Sequence, residues 1–498
     1  MSSRSTGSRS APSPSSFPSL LPPVFPSPSF FRRSPAPASP SSAARRTARR
    51  RALAAALSAA LPAALLSGCG STADASDGKT ITVTVGYQSK TINTVTAGTL
   101  LRSLGSFERA LRAQGKRDGK VYKVRWQDYA TGAPITAQMV AGKVDIGSMG
   151  DFPLLLNAAR GTQLHAPTRL VSVTGYNLRG ALNTIVTKPG SGLHSLADLR
   201  GKKVSSSVGS ASDGTLVRAL QRAGIDPERD IHKLNQQPAV GASALQSGGA
   251  DALSQFVAWP GLLAFQGKAQ ALYDGGALGL PTFHGVTVRD AFAGQRPAVV
   301  RAFLAAQRDA TRYLQAHPVD AAQRVAKATG LPPEVVYLYN GAGGLATFDP
   351  TLKPQLIAAL KKDVTVLRAA ELTGPVNVDS FVNDHYVKQS YGSGYAKDRS
   401  STAHPSPDEV WLRGEDRTHS FSGPRALLRF AAAHRDAVRA AYVADATTGT
   451  RWFADKSVWV RDGARLLPFA TRTTADTWIR HHRGARTLGY AAALEQAR

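Results

Sequence analysis

Between a strand-like and a helix-like stretch the chain carries Ser205-Ser206-Ser207-Val208-Gly209-Ser210-Ala211-Ser212, five hydroxyls around one glycine. Free backbone N–H groups and hydroxyls at a helix N-terminus form an anion site. The plainer reading, that Ser210 or Ser212 caps the helix, is compatible with ligand contact. Ser207, Gly209, Ser210 and Ala211 are therefore the central candidates. Other strand ends place Tyr87 and Gln88, Gly150 and Asp151, Val240 and Gly241, and Gln255 and Trp259 where open α/β sheets bind ligands. Tyr87 and Trp259 suit an aromatic pocket wall or a core equally. Asp151 would repel an anion unless a neighbouring Arg or Lys neutralises it; otherwise it marks a ligand with an amino group, or caps a helix. A second chemistry resides in Cys69, the sole cysteine of 498 residues, which excludes an intramolecular disulfide and a thiolate metal cluster. GxSxG, Walker and HExxH patterns do not occur.

The elements that must position these residues can be read from periodicity. Ile81, Val83 and Val85 alternate in a first strand over 80–86, and 121–126 and 204–208 read as further strands. Leu216, Val217 and Leu220 form the apolar face of the following helix, which Gly224 is placed to close. Beyond Pro297 the period is helical: Val299, Val300, Phe303, Leu304, Ala310, Tyr313 and Leu314 fall on one stripe, and Leu352, Leu356, Ile357, Leu360, Val364 and Leu367 on another. Strands alternating with helices imply α/β layers, and 80–391 exceeds what one core usually organises, so two lobes are expected.

Cys69 follows an arginine cluster (Arg45, Arg46, Arg49, Arg50, Arg51), an apolar run over 52–66 and Leu66-Ser67-Gly68. These are the parts of a secretory signal over 44–69, with an apolar run too short to span a bilayer. The tetrapeptide resembles the lipobox of bacterial lipoproteins, which implies a diacylglyceryl anchor on Cys69 and residence on the outer face of the cell membrane. Residues 1–43, rich in Ser, Pro, Ala and Arg, read as a disordered extension or a mis-assigned start. The net charge of +27 includes nine arginines before Asp74 with no acid among them, leaving +18 after cleavage. That favours anionic partners; dispersed basic residues without a recognition motif argue against nucleic acid.

Gly86-Tyr87-Gln88, 142–147 (Gly-Lys-Val-Asp-Ile-Gly) and Gly150-Asp151-Phe152-Pro153, followed by 196–204 and 245–252, resemble in order and spacing the ABC-transporter substrate-binding proteins for nitrate, sulfonates and taurine. The resemblance implies a type II periplasmic-binding fold, with lobe 1 at 80–178 and 288–391, lobe 2 at 182–282, and crossovers near 177–181 and 282–288. It also implies a monomer without cofactor that captures a small anion or zwitterion and delivers it to an ABC permease. Enzymes on this fold, like the pyrimidine-forming synthases, need reactive His with metal or thiol groups, and neither set is visible.

After a short segment at 70–79, the substrate-binding region at 80–391 and a Gly/Ser/Lys/Pro-rich linker at 392–407, residues 408–498 form a second unit. Glu409-Val410-Trp411-Leu412, 438–443, 449–454 and 457–460 are similar to the copper-accessory lipoproteins of nitrous oxide reductase, the NosL-like family, a small α+β domain. Soft sulfur ligands select Cu(I), and no Cys or Met follows Met149. His404, His419, His434, His481 and His482 are scattered. The domain is expected to fold by itself without metal; a metal-handling or interaction protein acting through it is the competing functional class.

Overall fold

The computed structural model describes residues 79–401 and 408–498. The expected extension, the signal with Cys69 and most of the segment after it lie outside the described residues, as do 402–407.

Two sheets build the two lobes. Thr80–Tyr87 alternates apolar residues as expected, yet from Val83 onward both faces are buried. The cause is its place inside a six-stranded sheet, paired in parallel with Val121–Asp128 and Ile146–Gly150. Thr282–Arg289 runs antiparallel between Ile146–Gly150 and Thr168–Asn177, and Thr347–Phe348 closes the far edge. The second sheet has the order His232–Asn235, Lys203–Ser206, Ala252–Phe256, Asn183–Thr187, Gln270–Asp274. Its first three strands are parallel, so the loops that follow Ser206, Asn235 and Phe256 share one end of the sheet.

The chain crosses between the sheets twice. Asn177 organises the outward crossing: its Oδ1 accepts from the N–H groups of Arg179, Gly180 and Ala181 while its Nδ2 donates to Leu345 O. The return crossing is at 279–281, where Leu280 N donates to Arg179 O. The sequence reading placed it at 282–288, but Phe283, Val286 and Val288 are buried in the lobe 1 core and require a sheet strand there.

The apolar stripes of Pro297–Ala316 and Pro354–Ala369 pack on the first sheet. Part of the expected linker belongs to the same core. Tyr395–Ser400 is a short helix whose Tyr395 ring is buried against lobe 1, its hydroxyl accepting from Leu352 N. One aromatic anchor outweighs the local composition. Residues 408–498 form antiparallel sheets of four and three strands with helices at Pro424–Ala433, Arg472–His481 and Tyr490–Ala497, an α+β unit. Among the described residues no helix is long and apolar enough to cross a membrane.

Candidate functional site

A cavity of about 810 Å³ lies between the two lobes, and four helices begin at its wall. We label them α1 (Gly132–Val140), α2 (Asp151–Gln163), α3 (Ala211–Arg222) and α4 (Pro238–Ser247). Their capping residues Thr131, Gly150, Ser210 and Gln237 all line the cavity. The unsatisfied N–H groups of a helix's first turn carry about half a positive charge. Two lobes thus aim four partial positive charges at one space.

The cap residues differ in how they are satisfied. Ser210 accepts from Asp213 N and lies 2.9 Å from the Ser212 hydroxyl. Asp213 turns back to accept from Gly209 N at 3.1 Å, with Lys233 3.9 Å away. Burial raises the Asp213 pKa against the pull of Lys233 and the Gly209 N–H. Thr131 is buried and its Oγ1 has no hydrogen-bond partner. An unpaired buried hydroxyl costs free energy, and a ligand oxygen would relieve it.

His284 supplies a further donor that the sequence reading did not single out. It is buried, and desolvation drops its pKa to about 3, so the ring is neutral. Asn93 Nδ2 donates to Gly175 O and, at 2.7 Å, reaches His284 Nδ1. An amide nitrogen only donates, so Nδ1 accepts and Nε2 carries the proton. That edge lies against Gly150, where a Cβ would sit 3.1 Å from the imidazole.

Among the described residues no Asp, Glu or Lys lines the cavity, and Arg160 is its one cationic side chain. One flank is apolar: Ala133, Ala137 and Val140 of α1 face Leu156, Ala159 and Leu164 of the α2 segment. Residues 372–375 also line the cavity. Leu164 (50 % exposed) and Leu372 (37 %) are two of four large apolar side chains left exposed among the described residues.

Of the sequence candidates, Gln88, Gly150, Ser207, Gly209, Ser210 and Ala211 line this cavity. Gln255 stands behind it, its Nε2 donating to Ser207 Oγ. Gly241 lies outside, a small residue that lets α4 approach Ser205 and Leu253. Tyr87 packs edge-on to Trp126 and its hydroxyl accepts from Arg102. Trp259 opens the helix Trp259–Phe265 with the Lys90 ammonium over its ring. Asp151 is fully buried beside the cavity, where Thr282 Oγ1 and the N–H groups of Phe152 and Phe283 donate to it. Thr131, Asn235, Gln237 and His284 complete the polar end beside the Phe256 ring, and for Thr131 the signal was available: a Thr one residue before the helix over 132–140. Among the described residues no group of three His, Cys, Asp or Glu is placed to hold a metal ion.

Residues 123–321 match the family described as "NMT1/THI5 like". The taurine-binding periplasmic protein of Escherichia coli is 27% identical over 314 residues, covering 61% of this chain and 89% of that one. The alkanesulfonate-binding protein SsuA from Xanthomonas axonopodis pv. citri, solved bound to MOPS, superposes with a TM-score of 0.51 at 25% identity over 61% of this chain and 98% of its own. The periplasmic nitrate-binding protein NrtA from Synechocystis PCC 6803 shares the fold, with a TM-score of 0.50 at 13% identity over 64% and 91% of the two chains. The chain, two α/β lobes around a cleft fed by helix N-termini, is thus similar over residues 123–321 to the NMT1/THI5-like family, and over 61% of its length to periplasmic proteins named for binding taurine and alkanesulfonates.

Proposed function

We propose that the protein is the extracytoplasmic solute-binding lipoprotein of an ABC importer, capturing a small anion or zwitterion of the sulfonate, taurine or nitrate kind and delivering it to the permease. The carrying observation is the convergence of α1 to α4 on one cavity without a carboxylate in its lining. The sulfonate, taurine and nitrate relatives support the ligand class. The apolar flank with Leu164 and Leu372 favours an organic anion whose tail lies along α1 and α2. On this reading the protein acts as a monomer without catalysis and is anchored through a diacylglyceryl group on Cys69. Its last domain keeps a NosL-like fold without the copper function.

A thermal-shift and calorimetric series tests the ligand, using the chain from residue 70 onward with nitrate, taurine and 1-alkanesulfonates of increasing length. A ligand at a hundredfold excess over its Kd adds about 2.7 kcal/mol to stability. Affinity should rise roughly fourfold per methylene while the tail still buries surface along α1 and α2. If no anion of the panel moves the Tm, the assigned ligand class is wrong.

A further inference from the structure

The C-terminal domain grips both lobes at once. We label Trp259–Phe265 of lobe 2 α5 and Pro333–Asn340 α6. Helix α6 is tied to lobe 1, where Asn340 Nδ2 donates to Ile92 O and Val335, Val336 and Leu338 share a core with Ile92, Val95 and Leu100. On α6 the Tyr337 hydroxyl lies 2.8 Å from Thr418 Oγ1 and donates to Glu409. Glu334 pairs with Arg439 at 2.5 Å, and its carbonyl accepts from the Tyr442 hydroxyl. The Tyr337 ring meets Trp411 and Tyr442 at 5.4 and 5.5 Å.

A different edge of the same domain holds lobe 2. Thr448 Oγ1 donates to the buried Asp274 carboxylate at 2.7 Å, and a Cβ on Gly276 would meet Thr450 Oγ1 at 2.5 Å. Phe453 packs on Phe265 of α5 at 5.5 Å, and the Thr473 hydroxyl donates to His194 O. A single apolar core runs from Ile92 and Val95 of lobe 1 through Ala181 and Leu182 of the outward crossing and Val257 and Ala264 of lobe 2 to Trp411, Tyr442 and Phe453.

We infer that residues 408–498 are a clamp on the hinge: by holding α6 and the 274–276 edge together they restrain rotation of the lobes and so set how readily the cleft opens. Hinge rotation moves lobe 2 relative to lobe 1 and loads the contacts of α6, whose Tyr339 hydroxyl also accepts from Gly261 N of α5. One rigid domain fixed to both cannot follow both, so opening must break one contact set. The 274–276 set is the smaller and is the one that yields. What the clamp regulates rests on the solute-binding reading above; that it restrains the hinge does not.

The test uses the chain from residue 70 onward and two variants on the lobe 2 side. Gly276→Val places a wedge under Thr450, and the near-isosteric Thr448→Val removes the hydrogen bond to Asp274 if the wedge variant does not fold. Hydrogen exchange without ligand is followed in the crossing peptides that contain Ala181 and Leu280. Losing this buried hydrogen bond should accelerate their exchange about fivefold, with the strand Thr80–Tyr87 unchanged. The same variants should release 1-octanesulfonate faster than wild type. Unchanged exchange in the crossings of a folded variant overturns the clamp. Faster exchange in a protein that binds none of the anions leaves the clamp standing and removes the binding reading.

Discussion

Thr131 and His284 separate what a residue does for a ligand from what it does for the fold. Since the buried Thr131 hydroxyl has no partner, Thr131→Val should leave the Tm unchanged or slightly higher while weakening sulfonate binding about tenfold, as titration calorimetry would read. A structural hydroxyl would show the reverse. His284 behaves differently with pH. Its native pKa of about 3 lies below the unfolded value of 6.5, so only the unfolded chain takes up this proton between those values. Its contribution therefore weakens stability as pH falls from 6.5 toward 3, by up to about 1.4 kcal/mol per pH unit. In paired melts the stability of His284→Gln relative to wild type should increase as pH falls through that window; a constant difference would mean the ring titrates normally.

At the scale of elements, α3 of lobe 2 lies directly on lobe 1. Helix α7 (Pro354–Ala369) brings Asp363 to the Arg218 guanidinium of α3 at 2.7 Å, and Arg218 also stacks over Phe152. One guanidinium serves two buried carboxyls, for its charge also acts on Asp151. Burial first, then the Asp151 charge, push Asp363 up to about 8. Its sign is opposite to that of His284: the native state retains a proton that the unfolded chain has lost, so stability from this group falls as pH rises from about 4 to 8. Asp363→Asn should flatten that decline in pH-dependent melts. Gly214 makes the close approach possible, since a Cβ there would lie 2.1 to 2.6 Å from the Phe152 ring. Gly214→Val is expected to hold the lobes apart, seen as a larger radius of gyration in solution scattering and loss of sulfonate binding. An unchanged radius would show that Phe152 simply swings aside.

Across the whole molecule, the C-terminal domain has a core of its own around Val410, Leu427, Leu428 and Trp459. Trp411, Tyr442, Trp452 and Phe453 belong instead to the core shared with α6 and α5. The sequence reading expected independent folding; the shared core implies that an isolated 402–498 fragment exposes those four aromatics. It should melt at a lower temperature than the full chain by circular dichroism. A fragment as stable as the full chain would mean that this interface contributes little. Attachment to the membrane is a separate matter: labelled fatty acid should enter the wild type and not Cys69→Ala, and equal labelling would remove the anchor.

Period-two and period-3.6 patterns, Gly224 closing α3 and the serine run before it are local features, so the sequence by itself determined the α/β lobes, the extra α+β domain and one serine-capped helix end at the cavity. Gly150 and Gln88 were legible too, because a strand end is a position along the chain. Tertiary structure alone decided that four helix N-termini share one cavity and that Thr282–Arg289 completes the first sheet. It also turned Tyr87, Trp259 and Asp151 away from the cavity lining and set His284 in it with a fixed tautomer. Each of these depends on contacts between residues far apart in sequence: Asn93 and His284 are 191 positions apart, Asp274 and Thr448 174. Local propensity carries no information about such pairs, because they exist only once burial has brought separate elements together.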